Sequence, residues 1–338
     1  MEIFGPNRNK LLTFAISLLL VVGMVISIFT PNFFIFTWWS KFIMQIAVGY
    51  WAIGLGFLFL KQQRLTMVSF ACCVVLCLYL KGTTNSRLDP VKVTNEPKFS
   101  IAHFNLSESP RDYGDVASII KQTNADIISL QEVTPDWNVI LKDSFNQAYP
   151  FSCQVSGVDL HSSKIYSKYK YTYCDTFYSE GVPNLVIGFP NGYNTDLVYV
   201  VSSFIEPPIY NQAYEMMKSQ FDAIGTYVRN LNSPAIALGD YNIPATSFDI
   251  QKFREIAKLF DSRRGYRPDR NDGRINFLEV PIDHIFYTGH FDCIEFQTII
   301  GKNATRLGIK GLYQFNKDSM TYTPTPNHIP KIGLQTTH

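Results

Sequence analysis

Residues 234–242 read PAIALGDYN: Pro234 opens the stretch, Ala235 to Leu238 are apolar, and Gly239-Asp240-Tyr241-Asn242 close it. A short apolar run bounded by turn-forming residues is the pattern of a buried strand. Its end is a carboxylate and an amide. The same design recurs on either side. ADIISLQEV (125–133) is a buried run ending in Gln131-Glu132, FSIAHFNL (99–106) alternates and ends near Asn105, and LVYVVSSFI (197–205) and VPIDHIFYT (280–288) are again β-rich. Between the first two, DVASIIKQTN (115–124) has helical spacing. Polar groups gathered at strand ends predict an α/β domain with a shared site at one rim of a sheet packed against helices.

Working outward, the 338-residue chain divides into two unlike parts. Residues 11–80 carry almost no charge and contain three runs near the roughly 20 apolar residues that cross a bilayer: 11–30, 42–60 and 65–80. We read residues 1–82 as a helical block inserted in the lipid bilayer, 83–98 as a polar tether, 99–315 as the folded domain and 316–338 as a Thr/Pro-rich tail. Trp38, Trp39 and Lys41 suit either an interfacial belt or packing against neighbouring helices. Arg8, Lys10, Lys61 and Arg64 would lie on one side of the membrane and Lys41, Lys81 and Arg87 on the other. The positive-inside bias then puts the N-terminus in the cytoplasm and the domain on the extracytoplasmic side.

The net charge is +2 with no block of like charges, so nothing advertises electrostatic capture of a long nucleic acid, although nucleic acid stays open as a partner. Of the six cysteines, Cys72, Cys73 and Cys77 read as small apolar residues of the helical block. Cys153 and Cys174 flank an expected hairpin and suit a disulfide in an oxidising compartment. Tyr169, Tyr171 and Tyr173 are expected on one face of a strand, either packed or forming a docking or stacking surface.

Asn105, Gln131-Glu132, Gly239-Asp240-Tyr241-Asn242 and Pro281-Ile282-Asp283-His284, in this order and at these separations, resemble the successive motifs of the endonuclease/exonuclease/phosphatase superfamily. Each motif alone is weak; four in order are specific. The resemblance implies a two-sheet α/β sandwich and phosphoester hydrolysis with Mg²⁺ or Mn²⁺. It casts Glu132 as the leading metal ligand, helped by Asn105 and Asp240, which agrees with the few oxygen ligands such a cation takes from protein. Asp240 would also orient or deprotonate the attacking water, and Asn242 would hydrogen-bond a phosphoryl oxygen. Blander roles stand beside these: a turn for Asp240 and Asn242, a helix cap for Glu132, a turn or glycan acceptor for Asn105, and packing for His284.

Two departures from the family pattern bear on activity. Phe204 stands where the family carries a histidine or tyrosine, and Arg306 stands where it carries the histidine that Asp283 orients. Arginine cannot shuttle a proton, but it can pair with Asp283 or clamp a phosphate. His328, in Pro326-Asn327-His328, superficially resembles the missing motif. A third departure, Lys168 for the usual arginine after Ser167, keeps the charge. Two functions follow: a membrane-tethered, metal-dependent phosphodiesterase or phosphatase, or a degenerate member acting as a binding or structural subunit of a membrane complex.

Overall fold

A computed structural model describes residues 6–29, 39, 41–83, 91–107, 113–145, 147–155, 161–190, 197–264, 270–271, 274–275, 280–301 and 306–316. Trp38, residues 84–90 of the expected tether with Arg87, and the tail beyond residue 316 with His328 lie outside them.

Period-two alternation builds the domain. On β1 (Lys98–Asn105), Phe99 and Ile101 join one apolar cluster while Ala102 and Phe104 join another. β2 (Ile127–Gln131) pairs with it in parallel and sorts Ile127 from Ile128 and Leu130 in the same way. Five further strands are β3 (Phe151–Val155), β4 (Ser163–Ser167), β5 (Tyr173–Ser179), β6 (Val182–Pro190) and β7 (Leu197–Ser202). Then come β8 (Ala235–Asp240), β9 (Leu259–Asp261), the short pair β10 (Arg270–Asn271) and β11 (Arg274–Ile275), β12 (Asp283–Thr288), β13 (Phe291–Ile300) and β14 (Arg306–Phe315). One six-stranded sheet has the order β13-β14-β1-β2-β4-β3 and the other β5-β6-β7-β8-β12-β9.

Between the sheets lies a core of Ile101, Ile127, Leu185, Val200, Leu238, Ile285 and Tyr313 with its neighbours. The apolar helices α1 (Pro6–Phe29), α2 (Ile43–Phe59) and α3 (Gln63–Thr83) precede the domain. Within it, α4 (Tyr113–Gln122) and α5 (Pro135–Phe145) cover the outer face of the first sheet, bringing Ile120, Trp137 and Leu141 against Phe104 and Leu130. On the second sheet, α6 (Asn211–Asn230) and α7 (Phe248–Ala257) set Met217, Phe221 and Phe253 against Val201, Ala237 and Phe286. Fully burying each such side chain is worth about 1.5–3 kcal/mol. The result is the expected two-sheet α/β sandwich.

Two of the three leading helices are long and apolar enough to cross a membrane, Lys10–Phe29 and Gln63–Thr83. The middle one has 17 residues, about 25 Å of helix against a hydrocarbon core of about 30 Å. It is shorter than the expected 42–60 because the chain turns back at once: Leu60 and Lys61 form a turn, with Lys61 at φ 56°. Trp39 donates its indole N–H to Ser27 Oγ at 2.9 Å, tying it to α1. The helices also touch the domain. Tyr79 on α3 donates to the Thr246 carbonyl at 2.9 Å, and Gln251 and Arg254 of α7 donate to the Thr83 carbonyl at 3.0 and 3.1 Å.

Cys153 and Cys174 are disulfide-bonded with Cα atoms 6.2 Å apart. They do not brace a hairpin. Cys153 is on β3, the edge of one sheet, and Cys174 on β5, the edge of the other, so the bond staples the two sheets. Closing a loop of this length is worth roughly 3 kcal/mol. Replacing both cysteines by serine should therefore lower the thermal midpoint of the full chain by several degrees, read in non-reducing buffer by intrinsic fluorescence. The tyrosines also depart from expectation. Only Tyr173 lies on β5; it packs with the outer cluster, whereas Tyr171 packs with the core between the sheets.

Candidate active site

The faces that are apolar in the middle of the sandwich turn polar at one end. Following Phe99 and Ile101, the inward positions of β1 are His103 and Asn105; on β2, Ser129 and Gln131 follow Ile127; on β7, Ser202 follows Val200; on β8, Asp240 follows Leu238. Paired polar groups join the sheets there. Ser129 and Ser202 hydroxyls lie 2.9 Å apart, and Gln131 Oε1 accepts the Asp240 backbone N–H at 2.9 Å. Gly239, at φ 149°, lets β8 run close to its neighbours: a Cβ would overlap the Ser203 carbonyl of the adjacent segment of the same sheet and come within 3.0 Å of Gln131 Nε2 of the other sheet. The sheets thus close tightly beneath the strand ends, which holds the side chains above them to a narrow range of positions.

Asn105 is the hub. Its Oδ1 accepts the Ser107 N–H at 3.0 Å and the Ser107 hydroxyl at 2.9 Å, which turns Nδ2 inward. Nδ2 then donates to Glu132 Oε1 at 2.9 Å and Asp240 Oδ2 at 3.0 Å. Two carboxylates from different sheets are thereby drawn to one point. Glu132 reaches it from a left-handed backbone, φ 56°, and such strain in a non-glycine residue persists where the surroundings impose it. The donor set suits a hard cation, which takes one or two carboxylates and keeps several waters. To be a ligand itself, Asn105 would have to turn Oδ1 away from Ser107, so in this arrangement it orients the two carboxylates. No group of three His, Cys, Asp or Glu side chains converges among the described residues.

Asp240 Oδ1 accepts the Asn242 N–H at 2.9 Å, so the turn expected of Asp-Tyr-Asn and the site carboxylate are one structure. Asn242, at φ 56°, donates from Nδ2 to the Ile205 carbonyl at 2.8 Å. An amide has two N–H donors, so this bond commits one of them. Arg306 Nη2 donates to Asp283 Oδ2 at 2.6 Å, with both side chains buried and on opposite sheets. Removing one partner of a buried pair costs about 3–5 kcal/mol. Arg306→Ala should therefore be clearly less stable than the wild type in urea unfolding. Asp283→Asn, which keeps an acceptor for the guanidinium, should lose less.

Several groups here escaped the sequence reading. His103 is fully buried, its Nδ1 3.3 Å from Ser129 Oγ and its Nε2 4.0 Å from Asp283 Oδ1. Burial pushes its pKa down to about 4, with Asp283 raising it and Arg306 lowering it further. Its place two residues before Asn105, on the same strand face, was the available signal. Lys41, before α2, is half-buried; burial lowers its ammonium pKa, and the charge of Asp240 opposes that shift. No motif links a residue of the apolar block to the site. His284 is a packing residue: Nε2 donates to the Ile243 carbonyl at 2.9 Å, and the ring stacks on Phe286. Lys168 lies at the far end of β2, 3.6 Å from Asp126.

The chain belongs to the Endonuclease/Exonuclease/phosphatase family, whose profile matches residues 102–303. Among solved structures it is similar to the endonuclease/exonuclease/phosphatase from Bacteroides vulgatus, at 15% identity, covering 65% of this chain and 100% of that one, with a TM-score of 0.52. D. rerio TDP2 complexed with a single-strand DNA product matches at 14% identity over 65% of this chain and 100% of its own, with a TM-score of 0.52. The endonuclease/exonuclease/phosphatase from Beutenbergia cavernae DSM 12333 matches at 14% identity over 65% and 72%, with a TM-score of 0.50. At these identities the likeness establishes the fold. None of the curated proteins compared with the chain matches it.

Proposed function

We propose that the chain is a membrane-anchored, divalent-metal-dependent phosphoester hydrolase. The observation that carries this reading is the convergence of Glu132 and Asp240 on Asn105 Nδ2. A bound Mg²⁺ or Mn²⁺ would be held by these two carboxylates and would supply charge to the phosphoryl oxygens. Asp240 positions the attacking water and takes its proton. The second N–H of the Asn242 amide donates to a phosphoryl oxygen, and the Arg306–Asp283 pair keeps a fixed guanidinium at the rim. Positioning and charge stabilisation of this kind do most of the work in phosphoryl transfer.

Anchoring in the bilayer is supported by the large apolar side chains that the leading helices turn outward, among them Leu11 at 69%, Phe59 at 83% and Met67 at 73% exposed. The extracytoplasmic side is supported by the disulfide, a bond of oxidising compartments. With Lys41 in the field of the Asp240 charge and the end of α3 bonded to Thr246 and α7, the ends of the helices lie beside the catalytic rim. A phosphoester at the membrane surface is the substrate this arrangement favours. The buried Arg306 and the aromatic Phe204 favour the second reading, a binding subunit with little turnover.

The two separate on one experiment: hydrolysis of bis(p-nitrophenyl) phosphate by the full chain in detergent, with Mg²⁺ or Mn²⁺ and after chelation. Turnover that stops on chelation and in Glu132→Ala supports the enzyme. A rate no higher than that of Glu132→Ala at saturating metal rejects it for this class of ester.

A further inference from the structure

Phe204 leaves the rim without the proton-donating side chain that its position would otherwise supply, yet an imidazole stands against it from another part of the chain. His161, just before β4, packs its ring edge-on to Phe204, with centroids 5.6 Å apart and planes at 70°. Its Nε2 lies 2.8 Å from Glu206 Oε1, two residues beyond Phe204. The two side chains are 29% and 30% exposed, so the pair is held by its neighbours and open to a ligand.

Both partners are anchored to the machinery already described. Ser162, the next residue, donates its hydroxyl to the Val133 carbonyl at 2.9 Å, and its backbone carbonyl accepts the Val133 N–H at 3.3 Å. His161 is therefore tethered beside the strand end that carries Glu132. On the other side, Glu206 N–H donates to Gln220 Oε1 at 3.0 Å, and the preceding Ile205 carbonyl holds Asn242. The imidazole thus bridges the element bearing the metal-binding carboxylate and the segment that fixes the phosphoryl-binding amide. A carboxylate on one ring nitrogen fixes the tautomer, leaving the other nitrogen for proton transfer.

We propose that His161, oriented by Glu206, is the general acid that protonates the leaving oxygen of the phosphoester. The proposal rests on the hydrolase reading above. As the water oxygen bonds to phosphorus and gives its proton to Asp240, the bond from phosphorus to the leaving oxygen breaks. That oxygen takes the proton from Nδ1 of the His161 imidazolium, whose Nε2–H stays on Glu206. Exchange with solvent then returns one proton to His161 and removes one from Asp240. Among the described residues, Glu206 is the charged group against the ring, and Glu132 is the carboxylate on the neighbouring strand end.

The test compares two leaving groups on the full chain in detergent micelles with saturating Mg²⁺. p-Nitrophenolate departs readily as an anion and needs no acid, whereas the alkoxide of a dialkyl or lipid phosphodiester needs one. His161→Ala should slow hydrolysis of the alkyl ester by about 10²-fold or more and leave the p-nitrophenyl ester within a few-fold, as expected for loss of a general acid. Glu206→Gln should show the same selectivity more weakly. For the alkyl ester, the fall in kcat/KM on the alkaline side should disappear in His161→Ala. Equal effects of His161→Ala on both esters, or none on either, with metal-dependent turnover intact, overturn the role of His161 and leave the hydrolase reading standing. A wild type that turns over neither ester overturns both.

Discussion

Asp240→Asn is expected to lower metal-dependent turnover by about 10²–10⁴-fold while leaving the fold intact. The substitution is nearly isosteric, and an asparagine side-chain oxygen can still accept the Asn242 N–H that Asp240 Oδ1 accepts at 2.9 Å. What it removes is a negative charge at the meeting point with Glu132, the acceptor there for Asn105 Nδ2, and the ability to take a proton from water. Glu132→Gln should be as damaging for the first of these reasons alone. The two carboxylates share one centre, so the double variant should be little worse than either single one. Steady-state rates with saturating Mg²⁺, beside far-ultraviolet circular dichroism to show that the variants are folded, check the prediction. A rate for Asp240→Asn within a few-fold of the wild type would remove Asp240 from the mechanism.

The second large effect is on stability. Burial depresses the pKa of His103 to about 4 and that of His284 to about 3, against about 6.5 for an exposed histidine. Between those values the unfolded chain binds protons that the folded chain does not, so stability increases with pH. The contribution is fully present above about pH 6.5 and is lost as pH falls toward 4 for His103 and 3 for His284. The full loss is roughly 3 kcal/mol for His103 and roughly 5 kcal/mol for His284. Asp261 and Asp249 act in the opposite sense, because burial raises their pKa values. Thermal midpoints of the full chain, taken with chelator present from pH 7.5 to 4, should therefore fall steeply below pH 6.5. The steepness should be reduced in His103→Gln and His284→Gln. A midpoint flat across that range would show that neither histidine is held neutral by the fold.

How much of this was legible in the sequence follows from how local each signal is. PAIALGDYN carries its strand, its turn and its carboxylate in nine consecutive residues, and the structure forms β8 with Asp240 and Asn242 at its end. ADIISLQEV likewise becomes β2, and Gln131 is structural, because its side chain holds the Asp240 backbone across the sheets. The disulfide partners were readable and their geometry was not: a staple between two sheet edges depends on how the sheets stack, which no local pattern encodes. His161 and Glu206 are 45 residues apart with no motif between them. Lys41 belongs to the apolar block, whose composition speaks only of lipid. Such groups come near the candidate site solely through tertiary packing.

The central claim is that Glu132 and Asp240, held together by Asn105, form a centre for a divalent cation, and Mn²⁺ binding tests it most directly. The full chain in detergent, stripped of metal and titrated with Mn²⁺ while free Mn²⁺ is followed by electron paramagnetic resonance, should take up at least one ion that Mg²⁺ displaces. Glu132→Ala and Asp240→Ala should each lose that ion. Uptake unchanged in both variants, or no uptake by a folded wild type, would contradict the assignment of the centre.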